Sequence, residues 1–102
     1  MIVMPTPAFF VSKGKPSKAS SLISTIPGIR GRRELLDFGR RIGFKPFWLK
    51  RIGTSFEHFQ LRGCKIESAL KEGAKKVDGF RFAELLQDKR RRARRRQIRG
   101  LR

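Results

Sequence analysis

The spacing of apolar positions changes period several times along the chain. Ile2-Val3-Met4 and Phe9-Phe10-Val11 are short apolar runs separated by Pro5 and Pro7. Proline cannot donate to a β-ladder, so these runs predict edge strands or short strands. Ser12 to Ser21, rich in Ser, Lys, Gly and Pro, predicts a loop. Leu22-Ile23-Ser24-Thr25-Ile26 predicts a strand, ended by the turn pair Pro27-Gly28.

The period then becomes helical. Over residues 31–43, Leu35, Phe38, Gly39 and Ile42 recur at i, i+3, i+4 and i+7, which places them on one buried stripe. Arg33, Asp37, Arg40 and Arg41 take the other face, with Asp37 and Arg41 spaced for an i,i+4 pair, and Gly43 is a stop signal. Phe44, Phe47, Trp48 and Leu49 form an aromatic-rich cluster that Pro46 keeps from becoming a continuous helix. Phe47-Trp48-Leu49 and the loosely alternating stretch from Phe56 to Leu61 read as short strands. Residues 64–74 return to helical period, with Ile66, Ala69, Leu70 and Gly73 on one face, and Lys76-Val77 has room for one strand pair. Asp78 is an N-cap candidate for a last helix. Phe82, Leu85 and Leu86 give that helix an apolar stripe, which ends by Asp88 while helix-forming residues continue through Arg96. The pattern predicts an α+β (small α/β) fold: three helices on a small sheet of short strands. A globular domain over residues 1–88 would carry a basic helical arm over 89–102.

Charge changes that picture most. Of 102 residues, 26 are Lys or Arg and 8 are Asp or Glu, a net +18. Residues 61–88 are nearly balanced, with six bases and five acids. Residues 89–102 hold nine bases and no acid, half of the excess. A balance of this kind points to a polyanion partner. The length fits one domain, the single cysteine leaves no internal disulfide framework, and no stretch reaches the roughly 20 apolar residues of a membrane-spanning helix.

The candidate nucleic-acid-binding residues follow from that distribution. The arm offers Lys89, Arg90, Arg91, Arg92, Arg94, Arg95, Arg96, Arg99 and Arg102. Guanidinium groups bridge phosphate oxygens and stack on bases, and charge on every face of a helix suits a surrounded site such as an RNA groove. About six phosphate contacts would give a log–log salt slope of roughly −4 to −5.5. A second element is the loop with Lys13, Lys15 and Lys18, whose spacing is not that of a Walker A loop. A third is the set Arg40, Arg41, Lys45, Lys50 and Arg51 among the aromatics. Those aromatics are expected mainly in the core, with a base-stacking surface as the alternative.

His58, the only histidine, has no Cys, Asp or Glu partner at a recognisable spacing, so neither a triad nor a metal site is expected. Cys64 beside Lys65 is expected as a small buried residue. The N-terminus is basic and Ser-containing but holds four prolines and no amphipathic Arg-bearing helix, which argues against a presequence.

From Met1 to about Leu86 the chain also resembles a family of small bacterial and phage proteins of unknown function. Glu34-Leu35-Leu36-Asp37-Phe38-Gly39-Arg40-Arg41-Ile42-Gly43 is similar to the family helix Glu-Leu-His-x-Phe-Ala-x-x-Ile-Gly, with Leu36 in place of His. Phe47-Trp48-Leu49 matches its aromatic segment, and Gly73-Ala74-Lys75-Lys76-Val77 its closing Gly-Ala-x-x-Val. His58-Phe59-Gln60 stands where the family has His-Tyr-Asp. Only His58 survives of the polar residues a family site would use, so the resemblance implies that any such site is lost.

The expectation is a non-enzymatic nucleic-acid-binding protein without a cofactor, RNA more than DNA. It would be a component of a ribonucleoprotein such as a ribosome, or of a phage assembly, alongside other proteins. The alternatives are a decayed enzyme centred on His58 and a regulator docking on an acidic protein. A cytoplasmic location in a bacterial or phage-infected cell is expected, with an organellar matrix as the alternative.

Overall fold

In a computed structural model, the backbone is described for residues 1–12 and 14–100 and the side chains for residues 1–8, 14 and 17–95. The first quarter of the chain is one long antiparallel hairpin. Strands β1 (Ile2–Pro5) and β2 (Ala8–Ser12) pair in turn with the ten-residue β3 (Lys15–Ser24). Val3 faces Ile23 and Ala8 faces Ala19, so five steps along the first arm oppose four along the second. The extra residue is a bulge at the Pro5–Pro7 interruption, where two ring nitrogens have no proton to donate. The Ser20 hydroxyl donates to the Pro5 carbonyl oxygen at 2.8 Å and satisfies an acceptor there.

One expectation is corrected here. Residues 15–21 belong to β3: pairing with β2 over residues 15–19 and, from Ala19 onward, with a second neighbour orders a stretch whose composition reads as loop. Ala19 pairs with Ala8 on one side and with Arg62 of β4 (Phe59–Arg62) on the other. Of the expected edge or short strands, β2 lies at an edge and β1 is the short kind, four residues long. Strand β1 lies between β3 and the parallel strand β5 (Lys75–Val77), and Pro5 falls at its last position.

Helix α1 (Gly28–Arg41) buries Leu35, Phe38 and Gly39 as its period requires, and Ile42 follows them into the core. Helix α2 (Cys64–Lys71) buries Ile66 and Ala69. Leu70 is exposed and Gly73 is a turn residue with φ 110°, so the second helix is shorter than the 64–74 pattern suggested. Cys64 is exposed, not buried. Both helices share one core with Ile2, Met4, Leu22, Phe44, Leu49, Phe59 and Leu61. Strand alternation turns Val3 and Ile23, both fully buried, to the opposite face, leaving them to α3 (Gly79–Gly100), which packs on β1. The result is an α+β domain with three helices about a small mixed sheet.

The aromatic stretch divides in two. Phe44 and Phe59 are buried edge-to-face at 5.2 Å. Phe47-Trp48-Leu49 forms no strand. Pro46 opens a 3₁₀ turn over Pro46–Trp48, and the turn leaves Phe47 and Trp48 exposed while Leu49 returns to the core.

Candidate nucleic-acid interface

The last helix begins where Asp78 was expected to cap it. The Asp78 carboxylate accepts the Arg81 amide at 2.8 Å. Phe82, Leu85 and Leu86 are half-buried as their spacing implies. The inward stripe does not end at Asp88. It continues through Lys89, 4% exposed, and half-buried Ala93, at i+7 and i+11 from Phe82. The helix runs unbroken across positions 88 and 89, so the first turn of the basic segment is part of the packed body.

Lys89 is therefore corrected as a phosphate ligand. Burial holds its ammonium below the ordinary lysine value of 10.5; Glu57 opposes the shift, Arg92 adds to it and Glu34 opposes it. Arg92 is partly committed as well. It donates to the Thr25 carbonyl oxygen at 2.6 Å and pairs with Asp88 at 3.2 Å. These contacts anchor the helix and leave its other faces outward.

Arg90, Arg91, Arg94 and Arg95 are exposed. The first three line an open groove of about 700 Å³ together with Arg32 from α1 and Gly53, Thr54 and Ser55 from the loop before β4. Arg32 donates to the buried Glu57 carboxylate at 2.6 Å, which fixes that wall and neutralises the single acid in the lining. The start of α1 lines the same groove through Pro27, Gly28 and Ile29. Its N-cap is Pro27, with no side-chain cap and no acid in the first turn. Arg30, Arg32 and Arg33 all fall early in this helix, where the macrodipole disfavours cations. That arrangement can accept an oxyanion, with guanidinium donors contributed by two elements. Arg32 was not among the sequence candidates. The available signal was the run of bases at a helix start, which is the wrong end for them.

The loop over residues 50–56 is a built turn. The Thr54 hydroxyl and amide both donate to the Arg51 carbonyl oxygen, at 2.7 and 3.1 Å. Arg51 holds φ 58°, the left-handed region that a non-glycine residue seldom occupies. Lys50 pairs with His58 through an isolated antiparallel bridge. His58 Nδ1 lies 2.8 Å from the Phe56 carbonyl oxygen and its ring stacks on Phe56 at 4.3 Å, so this histidine is engaged in holding the loop.

The remaining candidates lie elsewhere. Arg40, Arg41, Lys45, Lys50 and Arg51 are exposed between the end of α1 and the loop, with Arg41 over the Phe38 ring at 5.4 Å. Lys18 is exposed on β3, in the hairpin, apart from the groove-lining residues. Lys13 and Arg102 lie outside the described residues, as do the side chains of Lys15, Arg96 and Arg99. Among the described residues, no helix is long and apolar enough to cross a membrane, and no group of His, Cys, Asp and Glu is arranged to hold a metal ion. Compared with known proteins, the chain matches no family, no curated protein and no solved structure.

Proposed function

We propose that this protein binds nucleic acid through the outward faces of α3 and works without catalysis, as a structural or accessory part of a larger assembly with other proteins. One observation carries the reading. Arg90, Arg91 and Arg94 of an acid-free helical segment line the same open groove as Arg32, so four guanidinium groups border one concave surface. RNA is favoured over DNA. A single helix charged on several faces suits a surrounded site such as an RNA junction or a groove opened by unpaired bases, where phosphates lie on more than one side of the ligand.

The test is fluorescence anisotropy with labelled RNA and DNA of matched sequence, titrated across salt. The full chain is compared with the variant Arg90→Gln, Arg91→Gln, Arg94→Gln, Arg95→Gln. Removing four phosphate contacts makes the log–log salt slope shallower by about 3. An unchanged slope and affinity would remove α3 from the interface. Equal affinity for RNA and DNA would remove the RNA preference and leave the electrostatic mode standing.

A further inference from the structure

The exposed aromatic turn is unexplained by packing. Phe47 is 75% exposed and Trp48 44% exposed, although buried Phe44 and Leu49 bracket them in the chain. The turn is rigid. Pro46 opens it, the Trp48 amide donates to the Lys45 carbonyl oxygen at 3.0 Å, and the Leu49 amide donates to that of Pro46 at 3.1 Å. Trp48 stands edge-on to Phe44 at 5.6 Å, and Phe44 in turn packs on Phe59. Phe47 and Trp48 are mutually edge-on at 6.1 Å, so two ring faces are presented at a steep angle on a platform tied to the core. Around them the charge has one sign. Residues 38–56 hold Arg40, Arg41, Lys45, Lys50 and Arg51 and no acid, and the Lys45 ammonium sits 5.8 Å from the Phe47 ring centroid.

We infer that the Phe47–Trp48 turn stacks unpaired bases of a single-stranded nucleic acid, with the flanking lysines and arginines on its phosphates. The inference rests on the nucleic-acid reading above and adds the substrate class: a strand with unpaired bases beside whatever α3 grips. Charge complementarity selects this occupant. An acidic partner without bases would use the cations and leave the rings wet. A neutral apolar partner would bury five cations without compensation. Base stacking on an aromatic ring needs both features and is indifferent to sequence.

Trp48 is the only tryptophan, so its fluorescence reports the platform directly. The full chain is titrated with single-stranded oligouridylate and with a blunt RNA duplex of equal length, and anisotropy of labelled strands follows total binding. The single strand should quench Trp48 saturably. Phe47→Ala should weaken single-strand binding about ten- to a hundredfold. Duplex affinity and the unfolding midpoint should not change, because Phe47 supports no core contact. Trp48→Phe, which keeps a ring, should retain most of the affinity. Single-strand binding with no quench and no effect of Phe47→Ala would overturn the stacking role while leaving α3 binding intact. Loss of all binding in the unmodified chain would overturn both readings. Quenching or a blue shift produced by anionic phosphatidylserine vesicles but not by oligouridylate would reassign the platform to a lipid surface and refute the inference.

Discussion

Gly39 offers a quantitative check on how α1 is seated, and through α1 on the position of the groove wall. A Cβ at Gly39 would lie 2.5 Å from Phe59 Cε2, 3.0 Å from Cζ and 3.2 Å from Cδ2. Ordinary contact begins near 3.4 Å, so the ring would have to retreat by about 1 Å. Phe59 is 1% exposed and held edge-on by Phe44, so retreat displaces a second ring. Overpacking of this kind costs about 1–3 kcal/mol. Replacing a mid-helix glycine by alanine returns about 1 kcal/mol of helix propensity. Gly39→Ala is therefore expected to be destabilising by up to about 2 kcal/mol, measured by urea denaturation followed by far-UV circular dichroism. The sharper quantity is the coupling with Phe59→Leu. If the added methyl meets the ring, the second substitution costs less in the alanine background than alone, by about 0.5–2 kcal/mol. Gly31→Ala should be worse, because its Cβ would lie only 1.7 Å from the Ile26 carbonyl oxygen, a backbone atom that cannot rotate aside. Additive effects at positions 39 and 59, or a full gain of about 1 kcal/mol in Gly39→Ala, would refute this seating of α1.

Three further outcomes test the groove's supports. Lys89→Met should raise the urea midpoint at pH 7, because a lowered pKa means that folding disfavours the charged ammonium on balance. The folded state binds fewer protons here than the unfolded chain, so the unmodified protein should gain stability as pH rises toward 10.5, and Lys89→Met should flatten that rise. Glu57→Gln should cost about 1.5–3 kcal/mol by removing the carboxylate that Arg32 donates to, and should steepen the same pH dependence, since Glu57 is the main charge opposing the Lys89 shift. Arg51→Gly should stabilise the fold by about 1 kcal/mol in thermal unfolding, by relieving the left-handed backbone, and should weaken nucleic-acid binding slightly if Arg51 touches phosphate.

The helices were legible because each buries a regular stripe, and Leu35, Phe38, Gly39 and Ile42 fall where their spacing puts them. Strands β1 and β3 were harder. Pro5 and Pro7 read as strand breakers, yet a bulge absorbs them, and a bulge depends on the partner strand's register, which local sequence does not display. Ser17, Lys18 and Ala19 have loop-like composition and acquire strand structure from the hairpin partner β2, with Ala19 also paired to the sequence-remote β4. In the aromatic stretch no period separates Phe44, which is buried, from Phe47, which is not; the sharp turn at Pro46 makes the difference.

Residue type and residue position give opposite answers for the basic helix at Lys89, and position prevails. Judged by type, the apolar stripe stops at Asp88 and everything after it is free charge. Judged by position, Lys89 and Ala93 extend the stripe of Phe82, Leu85 and Leu86, and the body covers both. A lysine can serve there because its long aliphatic stem packs as a hydrocarbon while Glu57 and Glu34 lower the cost of its head group. The consequence reaches the interface. A helix fixed through Lys89, Arg92 and Ala93 cannot rotate freely, so Arg90, Arg91 and Arg94 face the Arg32 wall in a set orientation. A tethered, unfolded run of arginines would lose more conformational entropy on binding than this anchored one. Under the proposed nucleic-acid reading, the buried lysine would act by orienting its neighbours, without touching the partner itself.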